Sequence, residues 1–216
     1  MKNKGIIFDL DGVIVDTAKY HYLAWKKIAD DLGFDFTEKD NEKLKGVSRV
    51  KSLDILLDIG KIELSEAKKS RLLVEKNENY LASIEKLNAK DLLPGISNIL
   101  LWLHQFEIPF ALGSASKNAR KILNQLGITE LFTAIVDGND VSKAKPDPEV
   151  FLIAANKMNI NPENCIVIED SQAGIDAAKT ASMKAIAIGK HLKNADFNLA
   201  STAELSPEFI EKMIKN

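Results

Sequence analysis

The sequence holds one cysteine in 216 residues, Cys165, so it can form neither an internal disulfide nor a thiolate metal cluster. A reducing, cytoplasmic setting fits that count. It also lacks a basic excess: 29 Lys and Arg stand against 31 Asp and Glu, a net charge of -2. That balance offers no drive toward a phosphate backbone, and no nucleic-acid partner is expected. Long apolar runs are missing too. The stretch from Ile99 to Leu103 is far short of the roughly 18 residues that cross a bilayer, and no membrane association is expected. Near the start, Asp9 and Asp11 interrupt Ile6, Ile7 and Phe8 before that run could act as an export signal. What remains is 45% hydrophobic and 28% charged, the balance of a folded globular chain of one large domain or two small ones.

Five short apolar runs read as buried parallel strands: Gly5 to Asp9, Phe110 to Ser114, Ala134 to Asp137, Cys165 to Asp170 and Lys184 to Ile188. From residue 95 onward, helical stretches alternate with them, at Ile96 to Phe106, Asn118 to Leu126, Glu149 to Met158 and Ala173 to Ala181. Strand followed by helix, repeated, predicts an α/β fold with a doubly wound, Rossmann-like parallel sheet, expected in the order 3-2-1-4-5. One interval departs from this rhythm. Residues 16–92 show no strand-like run, and amphipathic stretches at Tyr20 to Leu32, Ser52 to Ile59 and Ser65 to Ile84 predict a helical cap inserted after the first strand. The expected division is therefore a core of residues 1–15 and 93–216 and a cap of residues 16–92.

In open α/β sheets, ligands bind beyond the carboxyl ends of the strands, so the residues just after each strand belong together. Here they are Asp9 and Asp11, Ser114, Lys145, and Glu169 with Asp170. Asp9 and Asp11 lie two apart, on one face of an extended segment with α-carbons about 6 to 7 Å apart. One carboxylate can act as a nucleophile that becomes phosphorylated, while the other, held protonated, serves a leaving oxygen. Gathered beside Asp9, the acids Glu169 and Asp170 would repel unless a hard cation sat among them, and Mg²⁺ suits such oxygen ligands. Lys145 supplies a point charge for phosphate, and Ser114 with the amides that follow supplies donors. Phosphoryl transfer through an aspartate is the chemistry these residue types share.

These segments resemble the four motifs of the haloacid dehalogenase-like phosphotransferases: Asp9-Leu10-Asp11-Gly12-Val13, Ser114, Lys145-Pro146-Asp147-Pro148 and Glu169-Asp170-Ser171. Asp11 favours a phosphotransferase over a dehalogenase. Further likeness, at Asp16-Thr17-Ala18 with His21 and Trp25, at Leu44 to Arg49, at Ser114 to Asn118 and at Glu169 to Ile175, is to the branch that isomerises β-D-glucose phosphates. The resemblance implies that Asp9 carries the phosphoryl group, that Asp11 acts as general acid and base, and that Asp9, the Asp11 carbonyl, Glu169 and Asp170 hold Mg²⁺. It implies that Ser114, Ala115 and Lys145 grip the transferring group while Arg49, Ser116, Lys117 and Asn118 hold a second phosphate. Gly46, Val47, Ser52, Trp25, Lys76 and Asn77 would line the sugar, and Thr17 and His21 would orient Asp11 at a hinge. The expected reaction interconverts β-D-glucose 1-phosphate and 6-phosphate through a 1,6-bisphosphate, and the protein is expected to be a monomer acting on a small sugar phosphate. A sugar-phosphate phosphatase of the same family and a non-catalytic sensor are the alternatives.

Overall fold

A computed structural model describes residues 4–44, 47–189 and 191–215. Its core is a parallel sheet of β1 (Gly5–Phe8), β2 (Phe110–Gly113), β3 (Ala134–Val136), β4 (Cys165–Glu169), β5 (Lys184–Ile188) and β6 (Phe197–Leu199), ordered β3-β2-β1-β4-β5-β6. The central strand β1 aligns Ile7 with Ala111 on one side and with Val167 on the other. Strand alternation then divides the side chains between two apolar layers. Ile6, Phe8, Leu112, Ile166 and Ile186 face one layer, and Ile7, Ala111, Val167 and Ala185 face the other.

Helices cover both faces, as continuous apolar strands require. On the first face lie α5 (Ile96–Gln105), α6 (Ala119–Leu126) and α9 (Pro207–Lys215), which contribute Ile99, Ile122 and Ile210. On the second lie α7 (Glu149–Lys157) and α8 (Gln172–Thr180), with Ala154, Ala177 and Ala178 allowing close approach.

The strand order extends the expected one by β6, and the sequence pattern also passed over α9 and the short helix α2 (Glu38–Asn41). Two of the three β6 residues are exposed at the sheet edge, which leaves no apolar run to read.

Between β1 and α5 come α1 (Ala18–Leu32), α2, α3 (Arg49–Gly60) and α4 (Glu66–Ile84). They enclose an apolar cluster of their own, including Trp25, Ile28, Phe36, Leu53 and Leu56. Separation from the sheet layers is not complete, since Ala24 of α1 and Tyr80 and Ile84 of α4 join the first core layer. The two chain segments that lead into and out of this helical part run side by side. Val15 bridges Leu92 in antiparallel fashion, and the Leu93 amide donates to the Ile14 carbonyl at 2.9 Å.

Candidate active site

Strand ends of the core supply one rim of a cavity of about 450 Å³, and α1, α3 and α4 supply the opposite wall. At its base, Asp9 is 6% exposed and follows β1, whose neighbours β2 and β4 bring Ser114 and Glu169 alongside. Lys145, from the loop between β3 and α7, is buried, and its Nζ donates to Asp9 Oδ1 and to Glu169 Oε1, both at 2.6 Å. Lys143, two residues earlier, is 71% exposed and pairs with Asp147, so the two lysines of this loop have different tasks.

The charges at the base are unbalanced. Burial pushes the Asp9 carboxyl up to about 7, opposed by the Lys145 charge and reinforced by Glu169 and Asp11. Burial acts against the Lys145 charge, but its two carboxylates outweigh that and raise its pKa above the usual lysine value. Glu169 Oε2 accepts from the Ser171 amide at 2.7 Å and from the Ser171 hydroxyl at 2.8 Å, at the start of α8. Carboxylate oxygens of Asp9, Glu169 and Asp170 lie within 4.8 Å of one another.

Two glycines make this crowding possible. A Cβ on Gly12, which has φ +82°, would come within 2.2 Å of Asp170 Oδ2, and one on Gly174 within 1.9 Å of Glu169 Oε1. The Asp-Leu-Asp-Gly turn and the Ala-Gly-Ile start of α8 thus leave room for the acids beside them.

Asp11 turns toward the cavity, with its side chain 29% exposed, and accepts a hydrogen bond from the buried Thr17 hydroxyl. Burial holds its pKa up at about 6, against the nearby Lys76 and Lys145 charges. His21 stands one helical turn after Thr17, its Nε2 3.9 Å from Asp11 Oδ1. Lys76 Nζ lies 2.7 Å from His21 Nδ1. In its protonated form Lys76 only donates, so Nδ1 then accepts and the imidazole proton sits on Nε2, on the side of Asp11. Burial, then the Lys76 charge, keeps His21 well below its ordinary pKa and therefore neutral. Burial also lowers Lys76 to about 7, with Arg49 adding repulsion. Tyr80 completes this group, its ring 4.2 Å from the His21 ring and 4.6 Å from Lys76 Nζ.

The other anticipated residues divide between wall and support. Trp25, Val47, Arg49, Ser52, Lys76, Ala115, Ser116, Lys117 and Asn118 line the cavity together with Asp9, Asp11, His21, Ser114 and Asp170. Thr17, Lys145 and Glu169 lie behind that lining. Asn77 is off the wall as well, where its Oδ1 accepts from Asn118 Nδ2 at 2.9 Å and joins α4 to the core. Gly46 lies outside the described residues. Ser114 Oγ accepts from the Ser116 amide and Ser116 Oγ from the Asn118 amide, which curls this loop around the strand end. Arg49 begins α3 behind the Ser48 cap and has no carboxylate partner among the described residues.

A family model described as haloacid dehalogenase-like hydrolase matches residues 6–188. The chain belongs to the haloacid dehalogenase-like family. Among its relatives, the β-phosphoglucomutase of Bacillus subtilis (strain 168) is 44% identical over 97% of this chain and 94% of its own. A phosphorylated carbohydrates phosphatase of Thermotoga maritima is 29% identical over 98% of each. The crystal structure of a β-phosphoglucomutase from Clostridium difficile matches with a TM-score of 0.93 at 45% identity, covering 98% of this chain and 97% of that one.

Within this haloacid dehalogenase-like site, sequence reasoning passed over Asn41, Val50 and Leu73, which line the cavity, and Tyr80 behind it. Leu73 and Tyr80 sit at helical spacing, where an apolar side chain signals packing. Asn41 falls in a polar segment that reads as surface. Among the described residues, no helix is long and apolar enough to cross a membrane.

Proposed function

We propose that the protein is a phosphomutase that interconverts β-D-glucose 1-phosphate and β-D-glucose 6-phosphate through a phosphorylated Asp9 and β-glucose 1,6-bisphosphate. The observation that carries this reading is the likeness, over nearly the whole chain, to two β-phosphoglucomutases at 44% and 45% identity. The cavity is compatible with it, because candidate phosphate-binding groups line both of its sides: Ser114, Ser116, Lys117 and Asn118 on the core rim, with Lys145 behind it against Asp9, and Arg49 on the opposite wall. A molecule with two phosphates has a place for each.

The donor set at the base fits Mg²⁺. Carboxylate oxygens of Asp9, Glu169 and Asp170 are offered, the family resemblance adds the Asp11 carbonyl, and Gly12 and Gly174 leave the room that the Asp170 and Glu169 side chains occupy. When bound, the cation would offset the gathered negative charge and draw electron density from the phosphoryl oxygens.

In the proposed cycle, the C6 hydroxyl of β-glucose 1-phosphate attacks phosphorylated Asp9, and Asp11 accepts the hydroxyl proton. The free Asp9 carboxylate and the 1,6-bisphosphate result. After the bisphosphate turns end for end, Asp9 attacks the C1 phosphate and Asp11 returns its proton to the departing C1 oxygen. A carboxyl near 6 suits both directions at neutral pH. Thr17 holds Asp11 beside a neutral His21, and Lys145 with Ser114 holds the moving group. We read residues 16–92 as a cap whose Arg49 engages the far phosphate, so that closure excludes water when a second phosphate is present.

The test is the fate of the phosphoenzyme. Enzyme labelled with radioactive bisphosphate should carry label on the peptide containing Asp9, and added β-glucose 1-phosphate should move it into sugar bisphosphate. Discharge to free phosphate at the same rate with and without sugar would favour a phosphatase, the activity named for the Thermotoga maritima relative.

A further inference from the structure

Asn41 is a polar group on the cavity wall that the proposed cycle leaves without a role. It ends α2, a four-residue helix in which it alone is buried, at 7% exposed. Its backbone amide already bonds to the Thr37 carbonyl, so the turn does not depend on the side chain. The carboxamide has no hydrogen-bond partner among the described residues, yet it is not sealed inside the protein either. It opens onto the cavity, whose lining also includes Trp25, Leu44 and Ser52.

Water can reach the carboxamide while the cavity is open, and a bound ligand that displaces this water leaves it unsatisfied unless the ligand itself replaces the hydrogen bonds. The position makes sense when the partner arrives with the ligand. A carboxamide offers an acceptor and two donors, which matches a hydroxyl, itself both donor and acceptor. Being uncharged, it does not compete with Arg49 or Lys145 for the phosphates. The hydroxyls are what a sugar phosphate presents between its two ends.

We infer that Asn41 is a binding and specificity residue that hydrogen-bonds a ring hydroxyl of the sugar phosphate, an assignment that rests on the sugar-phosphate reading above. The bond would persist from the bound state through transfer, so its loss should appear in KM rather than in kcat.

The experiment compares wild type with Asn41→Leu on β-glucose 1-phosphate and its 2-, 3- and 4-deoxy analogues, with Mg²⁺ and a trace of bisphosphate. Phosphorylation of each enzyme by acetyl phosphate reports on the Asp9 end alone. Asn41→Leu should raise KM for the parent sugar roughly tenfold, leave kcat within about twofold and leave acetyl phosphate turnover unchanged. With one deoxy analogue, the two enzymes should have the same KM. A KM unchanged for the parent sugar, or raised by the same factor for all three analogues, overturns the assignment. Asn41→Ala answers the same question if the leucine variant does not fold. Wild type that releases phosphate without isomerising the sugar overturns the mutase reading alone, and the same KM comparison on phosphate release still decides Asn41. Wild type that turns over acetyl phosphate but no sugar phosphate overturns both.

Discussion

Asp9 and Asp11 are two positions apart, yet their surroundings separate their chemistry. Asp9 lies against Lys145 at the buried base, whereas Asp11 is held by Thr17 and faces the cavity beside a neutral His21. Asp11→Asn should slow transfer to and from the sugar by roughly 10² to 10⁴, the range for loss of a general acid or base. Phosphorylation by acetyl phosphate, whose leaving group needs little protonation, should slow far less. Rate measurements with both donors check this, and equal losses would make Asp11 structural.

Lys76 gives a pH-dependent expectation. Its pKa is lowered from 10.5 to about 7 by burial, so between those values the unfolded chain binds a proton that the folded chain does not. Lys76 therefore costs most stability below about pH 7, and the cost lifts as pH rises toward 10.5. Lys76→Met should be most favourable relative to wild type near pH 6, with the difference shrinking as pH rises. Thermal melts from pH 6 to 10 would show it, and a gap that widens with pH would contradict it. At this scale, the motif residues are legible in the sequence because chemistry restricts their types. Asn41 and Tyr80 were not legible, since an asparagine among charged residues and a tyrosine at helical spacing have ordinary explanations.

At the scale of elements, the start of α8 shows how tightly backbone and site are joined. Ser171 caps the helix through the Gly174 amide and also donates to Glu169, while Gly174 leaves the space that the Glu169 carboxylate occupies. Gly174→Ala would force that carboxylate away from Lys145. Overpacking of this kind costs about 1–3 kcal/mol, which denaturant titration would read. The Mg²⁺ concentration needed for half-maximal phosphoenzyme formation should rise at least about tenfold, as expected when a ligand's support is disturbed. An unchanged Mg²⁺ requirement would remove Glu169 from the proposed ligand set. The strands and long helices were readable from periodicity because burial on both faces demands continuous apolar runs. β6 escaped because an exposed three-residue edge strand makes no such demand.

At the scale of the whole molecule, the proposed cycle has one core supply the phosphoryl chemistry and the helical part decide what reaches it. The sheet residues alone fit a mutase and a phosphatase equally, which is why the sequence motifs left both open. Arg49, carried by α3 across the cavity from Asp9, is the group that would make closure depend on a second phosphate. Arg49→Ala should reduce isomerisation by roughly 30-fold or more, the consequence of losing a charged contact worth about 2 to 5 kcal/mol. Isomerisation and phosphate release followed in one sample would show whether water gains access as closure weakens. Loss of isomerisation with no larger share of turnover passing to water would mean that Arg49 binds phosphate without controlling closure.

The most direct measurement is a phosphorus NMR time course of the wild-type protein with β-glucose 1-phosphate, Mg²⁺ and a trace of β-glucose 1,6-bisphosphate. The account predicts that the 1-phosphate signal is replaced by that of glucose 6-phosphate, with little inorganic phosphate formed. Steady growth of inorganic phosphate without glucose 6-phosphate would contradict it.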